Sequence, residues 1–306
     1  MRTPSSASPD RSWVVTGSRG QLGTALVARL ERAGIPVRAA DLEVDIADPE
    51  AVARFLDAPP RPKVVANAAA YTHVDRCERE PDTADRVNRA GPAVMARACR
   101  EIGAKLVHVS TDYVFPGAGS KPYAETDPTG PRSCYGRTKL AGERAVQETC
   151  EDALVLRTSW VFGRGRNFLA AILAQAADRR SGKADGPLRV VDDQLGRPTY
   201  AVDLAEGLQR LVEADARGLY HLANAGEATW WDLARLCLDE AGFADLGVER
   251  IRTRDLDLPA ERPAFSVLDC SKAEALGIAL RPWQEAVRAY LHSQDSPLAA
   301  TAGDTP

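Results

Sequence analysis

The stretch that most limits what this chain can become lies close to its start. Trp13-Val14-Val15-Thr16 is a short, β-rich apolar run that ends in Gly17-Ser18-Arg19-Gly20-Gln21-Leu22-Gly23. Beyond it Ala25, Leu26, Ala28, Leu30 and Ala33 recur at helical spacing. Strand, glycine turn and helix in that order form the setting of a dinucleotide-binding turn. Glycines let the backbone approach a pyrophosphate, and the helix N-terminus offers free N–H groups and the positive end of its dipole. The spacing is G-x-x-G-x-x-G rather than G-x-G-x-x-G, so a turn that merely joins strand to helix is the competing reading.

The alternation continues. Ile35–Ala40 reads as a second strand that ends at Asp41, and Asp48-Pro49 as the capped start of a helix. Asp41 stands about 20 residues beyond the glycines, where an acid binds the adenosine ribose hydroxyls and favours NADH. Arg19, inside the turn, instead suits a 2′-phosphate and favours NADPH. Both cofactors stay open. Val64–Asn67 is the next buried strand and leads into the small residues Ala68, Ala69 and Ala70, then Tyr71 and Thr72. Asn67 either leaves room for a ligand or caps the loop. An amphipathic helix is expected over 85–103, with Asn88 either a bridge behind the site or exposed. Leu106–Ser110 and Leu154–Thr158 complete the strand-like runs of this half, and His108 reads as a packed or edge residue. The pattern predicts an α/β fold: a Rossmann-type, doubly wound parallel sheet built from right-handed βαβ units.

Two further stretches carry chemistry. Ser110-Thr111-Asp112 leaves the C-terminal end of a strand, where ligands bind in such sheets. Tyr135 and Lys139 stand four apart on a predicted helix and so share a face. An ammonium beside a phenol favours the phenolate and lowers a pKa that is ordinarily about 10. Thr111 offers a second hydroxyl to hold a carbonyl oxygen. Cys134, next to Tyr135, has no histidine nearby in sequence to activate it as a nucleophile.

After Trp160-Val161-Phe162-Gly163 the pattern becomes mixed, with helices expected over 167–177, 203–214 and 231–241 and strands over 189–191 and 218–222. This predicts a smaller C-terminal substrate-binding domain over the mouth of the sheet. The expected organisation is a disordered tail over 1–12 and a dinucleotide-binding domain over 13–165. A mostly substrate-binding part follows over 166–292, with some elements returning to the core, and a second disordered tail over 293–306. The net charge of −4 and pI of about 5.7 argue against a nucleic-acid surface but not against a small anionic ligand. No apolar run is long enough to span a bilayer. The six scattered cysteines show neither a C-x-x-C nor metal-ligand spacing, as expected of reduced thiols in a cytoplasmic protein.

Taken together, these stretches resemble the extended short-chain dehydrogenase/reductases and, among them, the dTDP-4-dehydrorhamnose reductase family. The resemblance is carried by Gly17 to Gly23, Asn67 to Asp75, Ser110 to Phe115, Tyr135 to Lys139 with Gly142-Glu143, and Arg157 to Gly163. Val190 to Gln194 with Pro198-Thr199, and Arg262-Pro263 with Ser266, extend it over nearly everything between the tails. It implies NAD(P)H-dependent reduction of the 4-keto group of a nucleotide-linked deoxysugar. By that resemblance Tyr135 gives its proton to the emerging alkoxide, Lys139 binds the nicotinamide ribose and lowers the phenol's pKa, and Thr111 holds the carbonyl oxygen. Gly17, Gly20, Gln21, Leu22, Gly23, Asp41, Asp45, Ile46, Ala69, Ala70, Tyr71 and Thr72 match cofactor positions, and Asp112 and Trp160 match substrate positions. Arg197 and Arg262 are the candidates for the diphosphate, with surface arginines as the alternative. Some members use Mg²⁺ at a carboxylate-lined dimer contact. The corresponding positions here are Ala25 and residues near Val202, so no metal requirement is expected, while a homodimer is compatible. Two rival functions are a 4-ketoreductase for another deoxysugar, of the dihydrostreptose or antibiotic type, and a non-catalytic dinucleotide-binding subunit. The regulatory beta subunit of methionine adenosyltransferase resembles the same family and exemplifies the second.

Overall fold

The computed structural model describes residues 12–299. Six strands form one parallel sheet: β1 (Trp13–Thr16), β2 (Val37–Ala40), β3 (Val64–Asn67), β4 (Lys105–Thr111), β5 (Leu154–Thr158) and β6 (Gly218–His221). Their order is β6-β5-β4-β3-β1-β2. The chain moves outward from β1 to β2 and then restarts on the other side at β3. That reversal opens a crevice at the C-terminal ends of β1 and β3, where open α/β sheets bind their ligands. Every residue of β1, β3 and β5 is buried, as expected of strands covered on both faces.

Helices cover the two faces. On one, α1 (Gln21–Arg32) packs beside the later helix Ala201–Glu213, burying Leu22, Leu26 and Leu30 with Leu204, Leu208 and Leu211. On the other lie α2 (Pro49–Asp57), α3 (Gly91–Ile102) and α4 (Cys134–Thr149), with Val52, Leu56, Met95, Cys99 and Val146 in their core. Asp48 caps α2 as expected, accepting the N–H groups of Glu50 and Ala51 at 2.9 and 3.2 Å, with Pro49 at the first helical position.

A separate buried cluster joins α5 (Phe168–Arg180), α7 (Trp230–Glu240) and α8 (Trp283–Leu291) around Phe162, Leu173, Leu238, Trp283 and Tyr290; α6 is the helix Ala201–Glu213 already placed on the sheet. Beside them Leu188–Val191 pairs in parallel with Val248–Ile251. Within 166–292, α6, β6, Ala273 and Ile278 pack with the sheet, Leu268 and Cys270 join a small cluster around Phe115 and Tyr123, and α5, α7 and α8 build the second large cluster.

Three expectations need revision. The helix over 85–103 is not uniform. A short helix, Pro81–Asp85, passes through a π-helical turn, Arg86–Ala90, before α3 begins. That wider turn buries Asn88, so the bridging role holds. Its side chain accepts the Tyr71 N–H at 2.8 Å and donates to the Tyr71 carbonyl and the Thr138 hydroxyl. The C-terminal boundary also moves, because Ser296 is buried and Leu298 packs on the second cluster. At the other end Ser12 is buried, its hydroxyl donating to the Arg61 carbonyl at 2.7 Å. The rest of the expected tails lies outside the described residues.

Candidate active site

One cavity of about 1020 Å³ opens at the C-terminal ends of the sheet strands. Its floor is the glycine turn. Gly17 has a φ of +68°, and a Cβ there would lie 2.5–2.7 Å from the backbone of Ala68 and Ala69. A Cβ on Gly23 would lie 2.1 Å from the Gly17 carbonyl oxygen. These glycines therefore permit a close weave of turn, helix start and β3 exit that no larger residue fits. Gly20 stands at the N-cap of α1 without a side-chain cap, and the first turn holds no acid. An anion at this end meets backbone donors and a favourable dipole, with no carboxylate in the helix's own first turn. The cradle suits a dinucleotide diphosphate.

At the end of β2, Asp41 accepts the Arg19 N–H at 2.8 Å and the Leu42 N–H at 3.0 Å, and lines the cavity. The Arg19 guanidinium, largely exposed, pairs with Glu43 at 3.2 Å. Asp45 is paired with Arg86, whose guanidinium beside it holds the carboxyl below the usual range. Gly17, Gly20, Gln21, Leu22, Gly23, Asp41, Asp45, Ile46, Ala69, Ala70 and Thr72 all line the cavity. Tyr71 does not: its backbone is held by Asn88 and its phenol donates to Glu80. Asn67, buried at the end of β3, accepts from Thr16 at 2.8 Å and from the Ala69 N–H at 3.2 Å, so it does fix the following loop. Its amide reaches His108, which is wholly buried in β4.

Another wall of the cavity is assembled from β4 and α4. Ser133 caps α4 by accepting the Gly136 N–H at 3.1 Å. Gly136 lets the helix approach so closely that a Cβ would lie 2.2 Å from the Tyr113 carbonyl. This brings Tyr135 close to Thr111, whose hydroxyl donates to Asp112 Oδ1 at 3.0 Å. Tyr113 packs edge-on against the Tyr135 ring, with centroids 5.6 Å apart. Lys139 is buried and donates to the Val109 carbonyl at 2.7 Å. Thr111, Asp112, Tyr135, Lys139 and Trp160 all line the same cavity.

The electrostatics differ from the simple expectation for this pair. Burial pushes the Tyr135 phenol up, with Thr111 opposing. Burial also lowers Lys139 to about 8, with Glu143 opposing. Desolvation is the largest cause in both, and it disfavours both charged forms. Asp112 is raised to about 6 by burial, opposed by hydrogen bonds from Ser266 and Thr111.

Neither diphosphate candidate lines the cavity. Arg262 donates to Asp75 at 2.7 Å and to the Ala260 carbonyl at 3.0 Å. Arg197 lies beside Cys270 and Asp269. The cavity's arginines are Arg19, Arg86, Arg164 and Arg166. The last two sit in the loop after Phe162, tied to α1 by the Gln21 amide, which donates to the Arg166 carbonyl at 2.9 Å. Trp230 is also on the wall; its signals in the sequence are the double Trp230-Trp231, which is compatible with a ketoreductase for another deoxysugar, and a capping box, Thr229 with Asp232. Cys134 is buried, and burial raises its thiol pKa, against a nucleophilic role. Among the described residues no group of three or more His, Cys, Asp or Glu side chains is placed to hold a metal ion.

The family model described as RmlD substrate binding domain matches residues 11–296. A dTDP-4-dehydrorhamnose reductase of Streptomyces griseus is 44% identical over 293 residues, covering 91% of this chain and 92% of that protein. The spore coat polysaccharide biosynthesis protein SpsK of Bacillus subtilis (strain 168) is 40% identical over 285 residues, covering 92% and 98%. A solved dTDP-4-dehydrorhamnose reductase of Bacillus anthracis in complex with NADP matches with a TM-score of 0.86 at 32% identity, covering 92% of this chain and 99% of that one.

Proposed function

The chain belongs to the RmlD substrate binding domain family, and from that premise we propose how it works as an NAD(P)H-dependent reductase. It reduces the 4-keto group of a dTDP-4-keto-6-deoxysugar, dTDP-4-dehydro-L-rhamnose, to give dTDP-L-rhamnose. The observation that carries the mechanism is the placement of Thr111, Tyr135 and Lys139 in one cavity with the glycine cradle. The reduced nicotinamide supplies the hydride. The turn from Gly17 to Gly23 would hold its diphosphate, and Asp41, Asp45 and Ile46 would face its adenosine end.

The Thr111 hydroxyl, whose single proton is donated to Asp112 Oδ1, would turn that proton to the carbonyl oxygen as a second contact. As that oxygen gains charge, it meets the phenol and then this hydroxyl. Tyr135 then gives up its proton. A phenol raised by burial keeps that proton at neutral pH until an alkoxide, a stronger base, is there to take it. Lys139 uses one of its three N–H donors on Val109, which leaves two for the nicotinamide ribose. Below about pH 8 it also places a positive charge near the developing oxyanion. The six cysteines are all free and buried, in keeping with a cytoplasmic enzyme, and the assembly we infer from the family is a homodimer, to be read by sedimentation.

The direct test is the purified protein with dTDP-4-dehydro-L-rhamnose and NADPH or NADH. We expect loss of the reduced-nicotinamide absorbance, and a product with the L-rhamno configuration by NMR. A different product configuration would assign it to another deoxysugar. In Tyr135→Phe turnover should fall at least about a hundredfold. Near-normal turnover in that variant would remove Tyr135 as the acid, and no turnover by the unaltered protein with either reductant would leave the non-catalytic reading.

A further inference from the structure

Trp160 has a φ of +47°, in the left-handed region that bulky side chains avoid. Such a conformation persists only where its surroundings over-determine it. The Trp160 carbonyl accepts the Thr199 N–H at 3.2 Å, and the adjacent Ser159 hydroxyl donates to the Arg197 carbonyl at 2.7 Å. The indole lies against Gly196, where a Cβ would come within 2.5–2.7 Å of three of its atoms. It also stacks on the Trp230 indole, centroids 3.8 Å apart and planes within 6°. Trp230 is itself fixed: its Nε1 donates to Gln194 at 3.0 Å, and Gln194 in turn donates to the Thr253 hydroxyl at 2.8 Å. Both indoles line the cavity.

We propose that Trp230 is a positioning residue that, with Gly196 and Gln194, holds the Trp160 indole as a preset wall for the nucleotide sugar. The proposal rests on the reductase reading of this cavity and adds to it a device for substrate affinity. A wall fixed before binding removes the cost of ordering a large side chain on contact. The stack does this from one side and the bare glycine from another. Neither contributes to the glycine cradle or to the reacting hydroxyls, so loss of either should act on the sugar and not on the dinucleotide.

The test uses two variants of the full chain that reach Trp160 through different contacts, Trp230→Leu and Gly196→Ala. Each should raise KM for the nucleotide sugar about tenfold, the scale of a lost aromatic pair. KM for NADPH and kcat should stay within about twofold, and Trp230→Phe should recover most of the affinity. Circular dichroism gives an independent readout: stacked indoles produce an exciton couplet, expected in the parent protein, lost in Trp230→Leu and altered in Gly196→Ala. Unchanged sugar KM in both variants, or a fall in kcat together with a rise in both KM values, overturns the proposal. If the parent protein turns over no nucleotide sugar, the reductase reading fails on its own. The couplet then decides the positioning claim, which falls if the parent protein lacks the couplet or if Gly196→Ala leaves it unaltered.

Discussion

Tyr135, Lys139 and Glu143 are spaced four apart along α4, so the face proposed to carry the chemistry continues into a buried acid. Glu143 grips Arg157 of β5 through two bonds, 2.9 Å to Nε and 2.7 Å to Nη2. The two side chains are only 1% and 4% exposed. Arg157 also lies over the Phe115 ring, 5.0 Å from its centroid. His221 stands 3.5 Å from Nη1, but burial, and after it Arg157, lowers its pKa to about 3. A neutral ring cannot replace the carboxylate. Glu143→Ala therefore leaves a buried guanidinium without a counter-ion, at a cost of about 3–5 kcal/mol. With roughly 2 °C lost per kcal/mol in a chain of this size, Tm should fall by about 6–10 °C. Glu143→Leu combined with Arg157→Met leaves no orphaned charge and should melt near the parent protein. Because Glu143 also supports the charged form of Lys139, the alkaline limb of the kcat profile in Glu143→Ala should move to lower pH. Calorimetry and a pH series read both effects. A Tm within about 2 °C of the parent, or a double variant less stable than the single one, refutes the reasoning.

Turnover should decline as pH rises through about 8, where Lys139 loses its proton, and a second inflection is expected near 6 from Asp112, absent in Asp112→Asn. The stability signs are opposite to those of an exposed ion pair. The folded value of Lys139 lies below its unfolded value of about 10.4, so the unfolded chain holds the extra proton and this group's contribution rises with pH between about 8 and 10. The folded value of Asp112 lies above its unfolded value of about 3.9, so its contribution rises as pH falls from about 6 to 4. Melting curves of the parent and Asp112→Asn across that range test this, and identical curves would contradict it. Gly23→Ala places a Cβ 2.1 Å from a backbone oxygen that cannot rotate away, and should weaken NADPH binding at least about tenfold in a fluorescence titration. Gly34→Ala, at a φ of +67° with nothing within 4 Å, should lower stability but leave NADPH binding unchanged.

The sheet and its order of construction are legible because each element declares itself locally. Apolar runs such as Val64-Val65-Ala66 have no polar face and must be covered on both sides, and the helices between them keep their period. The π turn at Arg86–Ala90 is not legible, because a helical period tolerates one extra residue and the reason for it is distant. Asn88 must reach Tyr71 and Thr138, and Gly142 of α4 passes so close that a Cβ would lie 2.1 Å from the Asn88 carbonyl. The packing of Ser296 and Leu298 escaped for a similar reason, since a polar, proline-containing end gives no sign of what it docks on.

The same distinction separates the two halves of the site. The side proposed for the cofactor is written in short contiguous stretches, the glycine turn and the ends of β2, β3 and β4, because each strand delivers its next few residues directly into the crevice. The sugar side is assembled from segments far apart in the chain. Gln21 ties to Arg166, Ser159 to Arg197, and Gln194 to Trp230. Its members are ordinary residues until those bonds form, which is why Arg197 and Arg262 were attractive and yet lie elsewhere, while Arg164, Arg166 and Trp230 line the wall. The electrostatic error has the same root. Spacing places Lys139 beside Tyr135, but only burial determines which form of each group the site favours, and burial belongs to the whole fold. Reaction chemistry can therefore be read from contiguous motifs, whereas discrimination between sugars depends on long-range contacts and must be tested at residues such as Trp230.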